Sequence, residues 1–150
     1  LFDAATPTNW AAFFLITVLA GLTLGAIGAL IGVVASGARG VVLWSQLIFL
    51  PSVLLGGLMM PLEILPESFQ PIAALLPTTH AMQAFEGLAY GRETVYDPMI
   101  SAAVLIASFL FAFGLAIYLF SWDSQNSTRR APAVLAILAW APYVISLLFI

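Results

Sequence analysis

With 63% hydrophobic and only 7% charged residues over 150 positions, this chain has too few charges to coat a water-facing surface; soluble domains carry about 25%. A net charge of −3 with no Lys/Arg cluster excludes a nucleic-acid partner, and the absence of cysteine excludes disulfides, thiolate metal sites and thiol nucleophiles. The composition implies an all-α integral membrane protein, each span taking about 20 apolar residues to cross a hydrocarbon core about 30 Å thick.

In chain order, the first apolar run goes from Trp10 to Ala35 without a charge. As a helix it reaches about 39 Å, enough to span with some tilt. Asn9 or Thr8 suits the cap of its start, and Trp10 suits the headgroup level. No basic segment precedes it, so it does not read as a secretory signal, and a first residue of Leu1 is expected of a piece of a longer protein. Ser36-Gly37-Ala38-Arg39-Gly40 should break the helix, and a second run, Val41 to Met60, should kink at Pro51. A third run extends from Met99 to Phe120, followed by a polar loop, Asp123 to Arg130. A fourth, Pro132 to Ile150 with Pro142 inside it, is just long enough to cross. The expectation is a single transmembrane domain over 1–150, a bundle of about four helices at 10–35, 41–60, 99–120 and 132–150.

Between the second and third runs the character changes. Pro61, Pro66, Pro71 and Pro77 cut residues 61–97 into pieces too short to span, and the acidic residues Glu63, Glu67, Glu86, Glu93 and Asp97 face Arg92 alone. Phe69, Ile72, Ala73 and Leu76 share a helical spacing. Thr78 or Thr79 can cap a second piece carrying Met82, Phe85 and Leu88 or Ala89, with Gly91 as its stop. Two short amphipathic helices, at 66–76 and 78–90, are expected to rest on or dip into the membrane surface. The basic residues Arg39, Arg129 and Arg130 fall on one side of three ordered spans. The positive-inside rule makes that side, with Asp123–Arg130, cytoplasmic and places 61–97 outside a plasma membrane.

Few residues suggest chemistry. Gly21/Gly25 and Gly28/Gly32 are GxxxG pairs, expected to pack a helix of this chain or its parent, with a sliding or dimer interface as the other reading. His80 is the only histidine, and no HExxH-like spacing accompanies it, so no metal site is expected. Glu63 and Glu67 stand one helical turn apart, but Pro66 between them argues for solvated loop carboxylates rather than a cation site. Glu86 beside Phe85 and Leu88 is read as facing water or headgroups, since a carboxylate at bilayer depth needs a partner. Ser45, Ser52, Ser101 and Ser108 have no histidine in any span to act as a base, which argues against an intramembrane hydrolase. There is no lysine and hence no Walker motif, so any ATP must be hydrolysed by another subunit.

Gly56-Gly57 at a span end, then Pro61 and Pro66, a short helix, and Leu76-Pro77-Thr78 before a second short helix, form an ordered set. Together with the preceding glycine-rich GLTLGAIGALIGVVA, this set resembles type-2 ABC exporter permeases over roughly 8–120. The resemblance implies the last three spans of a six-span permease, without the amphipathic N-terminal and coupling helices that contact the ATPase. It implies a subunit that is not itself an enzyme, binds no cofactor, and pairs with a second permease copy and ABC ATP-binding subunits within membrane lipid. The short helices would then lie near the substrate exit. Phe69, Met82, Phe85 and Glu86 are candidate contacts there, with packing as their alternative role. A non-transporting membrane assembly or anchoring protein is the competing reading.

Overall fold

The computed structural model describes residues 6–35, 37–125 and 133–149, with side chains omitted at 121–125, 133–135 and 149. Every regular element among them is helical. Three helices are long and apolar enough to cross a membrane: α1 (Trp10–Val34), α2 (Ala38–Leu55) and α5 (Pro98–Gln125), the last through its Pro98–Phe120 portion. The Asn9 side chain accepts a bond from the Ala12 N–H (3.1 Å) and caps α1 as anticipated. Asp97 does the same for α5, accepting from Met99 and Ile100 at 2.8 and 3.0 Å, with Pro98 at the first position where its missing N–H is harmless.

Several boundaries differ from expectation. α2 begins at Ala38, so Arg39 and Gly40 lie in its first turn and the break is confined to the residues around Gly37. It ends at Leu55, five residues before Met60, because Gly56 and Gly57 terminate it, and it continues through Pro51. The first short helix is reduced to 3₁₀ turns at Leu62–Ile64 and Glu67–Phe69 and the five-residue α3 (Gln70–Ala74). Phe69 and Ile72 point outward there while Ala73 and Leu76 are buried, so the four residues do not share a buried face. The second is α4 (Pro77–Ala84), which widens into a π-helical turn at Phe85–Ala89 and stops at Gly91, whose φ of +65° only glycine adopts readily. The fourth run is not one α-helix: residues Ala133–Trp140 are 3₁₀, α6 covers only Ala141–Ser146, and Leu147–Phe149 is again 3₁₀. Pro142, lacking an N–H, interrupts the α ladder there. Arg129 and Arg130 lie outside the described residues, as does the side chain of Asp123.

The bundle closes along α1 and α5. Ala26, Ile27 and Leu30 meet Ala112, Ala116 and Leu119, with Ala139 completing the cluster; small alanines let the backbones approach. A second cluster joins Ile16 of α1, Ala84 of α4 and Leu105 of α5. The glycines of α1 have no part in either. Gly21, Gly25, Gly28 and Gly32 are exposed, and a side-chain carbon built on any of them meets nothing within 4 Å. Their stripe therefore packs no helix among the described residues. α2 is the barest span, with Ser52 its one buried residue.

Candidate functional site

The densest set of specific contacts joins the end of α2 to the short helices. Gly56 donates to the Ser52 carbonyl (3.0 Å) as α2 ends, and Gly57 turns the chain away at φ +87°. A side chain on Gly56 would collide with Thr78 Oγ1 and the Ser52 carbonyl. The bare backbone lets Thr78 reach across and donate to the same Ser52 carbonyl at 3.2 Å. On Gly57 an added carbon would press on Met82 at 3.3 Å. Of the motif residues singled out from sequence, Gly56, Gly57 and Thr78 thus meet at one joint. Pro77 is buried at the first turn of α4, while Pro61 and Pro66 stand exposed at the caps of the two 3₁₀ turns.

Three consecutive side chains of α4 share one task. Thr78 bonds α2; Thr79 Oγ1 donates to the Ala73 carbonyl at 2.6 Å, and His80 Nε2 donates to the Ala74 carbonyl at 2.8 Å. A five-residue helix leaves most of its carbonyls without partners inside it; α4 serves those of Ala73, which also accepts from the Leu76 N–H (2.9 Å), and Ala74. Neither threonine caps α4, contrary to expectation; its N-cap is Leu76, with no side-chain bond. Sequence reading also passed over Gln83, whose Oε1 accepts from the Tyr96 N–H (2.9 Å), and over Tyr96, whose hydroxyl donates to the Gln70 carbonyl (3.0 Å). These pairs are 13 and 26 residues apart, so no local spacing announces them.

The four candidate exit contacts have different surroundings. Phe69 is exposed, Met82 lies under Gly57, and Phe85 packs on Phe13 of α1 with ring centroids 4.9 Å apart. Glu86 is half-buried in the π turn; desolvation, then the nearby Glu63 carboxylate, hold its pKa above the ordinary carboxylate value, while Arg92 pulls it down. Among the described residues no group of three His, Cys, Asp or Glu side chains could hold a metal. Ser146 Oγ stands 3.4 Å from His80 Nε2, but that nitrogen bears its proton toward Ala74 and Ser146 donates to the Tyr143 carbonyl (2.7 Å). Both residues are buried, so this pair is no nucleophile and base. An apolar recess of about 520 Å³ separates α1 from α2, lined by Leu30, Trp44, Leu47, Leu76 and Trp140 among others.

Two outcomes test this geometry. Gly56→Ala is expected to destabilise the detergent-solubilised protein by about 1–3 kcal/mol through overpacking. Gly25→Ala, in open space within the chain, should be neutral or raise Tm of the monomeric protein through helix propensity; equal effects in tryptophan-fluorescence melts of the monomer would contradict the joint. Burial, opposed by the Ala74 bond, pushes the His80 pKa below its ordinary 6.5. Below that value the unfolded chain takes up a proton that the native state refuses, so stability falls with pH by at most about 1.4 kcal/mol per unit for one proton. Glu86, with its raised pKa, contributes with the opposite sign. The difference in Tm between wild type and His80→Gln, followed from pH 7.5 to 5, isolates the histidine and should shift against the wild type as pH falls.

No curated protein and no solved structure matches the chain. A family model described as ABC-2 family transporter protein matches residues 1–118. That match covers α1, α2, the short helices and the first twenty-one residues of α5, and the chain belongs to the ABC-2 transporter family.

Proposed function

We propose that this chain is the membrane permease part of an ATP-driven exporter, forming one wall of the translocation pathway. A separate ABC subunit hydrolyses ATP and a second permease copy completes the path. The observation that carries this is the unequal attachment of α2. Its flank is separated from α1 by the apolar recess, while its end is tied to the short helices through Gly56, Ser52 and Thr78. Nucleotide-dependent movement of α2 against the α1–α5 pair carries the short helices with it and shifts the balance between open and closed states. Phe69 and Glu86 remain the candidate substrate contacts, because Met82 and Phe85 are taken up by packing.

In this reading the α2 end that carries Arg39 faces the cytoplasm and the 61–97 segment lies outside; the positive-inside rule supports it. Single cysteines at the exposed positions Glu67 and Glu93, in a chain with no cysteine of its own, should be labelled by an impermeant reagent on intact cells. Protection of both would reverse the orientation.

The test of the function is co-purification. The intact protein, extracted mildly from its native membrane, should bring down a Walker-motif ATPase whose hydrolysis rate changes with Gly56→Ala. Recovery without any ATPase supports the assembly or anchoring reading instead.

A further inference from the structure

Ser101 and Ser108 lie two turns apart on one face of α5, fully buried, and neither hydroxyl has a hydrogen-bond partner among the described residues. A hydroxyl in a helix commonly turns back to the carbonyl four residues earlier, as Thr17 and Thr23 do on α1 at 2.7 and 2.8 Å. The Ser108 hydroxyl instead lies beside that of Tyr143 on α6, without a well-formed bond between them. The Tyr143 ring stands 5.7 Å from the His80 ring, tilted by 33°. Because His80 Nε2 donates to the Ala74 carbonyl, Nδ1 is left as a bare acceptor, buried and unpartnered. One orphan ring nitrogen and two orphan hydroxyls thus sit on α4, α5 and α6, on side chains linked in series: Ser108 beside Tyr143, and the Tyr143 ring beside that of His80.

The chemistry of a bridging molecule follows from these side chains. His80, Tyr143, Ser108 and Ser146 include no carboxylate, lysine or arginine, so an ion of either sign would find no counter-charge there. Nδ1 requires a donor; the hydroxyls can both give and accept. A small neutral molecule that donates and accepts at once meets all three, and two to four polar partners are what an internal water needs.

We propose that His80 Nδ1, Tyr143 Oη and Ser108 Oγ form an internal water site that fastens the 133–149 run to the short helices. The same run is anchored by Trp140 Nε1, which donates to the Leu75 carbonyl at 3.1 Å, and by Leu147 against Leu62, Ala74 and Tyr96. It lies beyond residues 1–118 covered by the family match, so the water joins a family segment to a part of the chain outside it.

His80 is the only histidine, so ¹⁵N-histidine labelling of the intact protein in lipid nanodiscs yields a single ring to follow, whether or not transport is established. At pH 7.5 the expected result is a proton on Nε2, a hydrogen-bonded Nδ1, and a correlation between Nδ1 and water protons. That correlation should be lost in Ser108→Ala/Tyr143→Phe. A proton on Nδ1 would overturn the site, as would an Nδ1 shift typical of a free acceptor without a water correlation. So would a correlation to the Tyr143 hydroxyl in place of water. The wild-type measurement decides even where the double variant fails to fold.

Discussion

Thr78 can bond the Ser52 carbonyl only because Gly56 has no side chain, and the placement of the short helices follows from that approach. With Thr78 held against the end of α2, the next two residues of α4 fall over the end of α3, where Thr79 and His80 take up carbonyls that a five-residue helix cannot satisfy internally. Gly57 then directs the chain so that Leu62 reaches Ala74 and Tyr96. Tyr96 in turn is pinned by Gln83 and Gln70. Each bond has modest net worth, about 0.5–1.5 kcal/mol. Leaving a buried polar group unpaired, such as the Thr78 or Thr79 hydroxyl, costs more, so the arrangement is held by the penalty of breaking it.

The long helices divide the work differently. α1 and α5 are joined by alanine-rich contact and, at Thr23, by a hydroxyl that reaches the Leu105 carbonyl at 3.2 Å in addition to its own Leu19 (2.8 Å). Nothing comparable binds α2 along its length; its sole buried residue is the one that receives Thr78. Buried contact is thus concentrated in α1, α4 and α5, while α2 is mostly exposed and reaches that core through Ile48. The short helices are fastened to both, through Ala84 against Ile16 and Leu105 on one side and Thr78 on the other. In the proposed exporter, a segment attached on both sides is the part whose position would change when α2 moves against the α1–α5 pair.

How much of this could be read from sequence depended on range. The three long spans follow from composition and uncharged length, and the Asn9 cap and Gly91 stop follow from local chemistry that acts within a few residues. The proline-cut character of 61–97 also survives in the 3₁₀ turns flanking Pro66. What failed was long-range or competitive. Threonines at a helix start read as caps, yet carbonyls contributed by α2 and α3 outbid that role. Leu76 reads as part of one amphipathic face with Phe69, but α3 is too short to hold that face together. The fourth run reads as one helix, whereas Pro142 and the anchor at Trp140 leave it part 3₁₀ and part α. The joint was half legible: Gly56, Gly57 and Thr78 stood out as a set, and their mutual contact did not.

The glycine stripe of α1 bears on how the chain completes itself. Exposed leucines and phenylalanines on a spanning helix suit lipid tails, which pack against any apolar side chain. Glycine gives lipid no such advantage; it exposes backbone and lowers helix propensity by about 1 kcal/mol per residue relative to alanine. Four glycines at spacings of four, three and four lie on one face, open to at least 4 Å from any built side-chain carbon. That pattern suits the close approach of another backbone, and the described residues place none there. In the exporter proposed above, the second permease copy is the candidate source of such a helix. The α1–α5 pair would then present alanines to its own core and glycines to its neighbour, leaving α2 free of both.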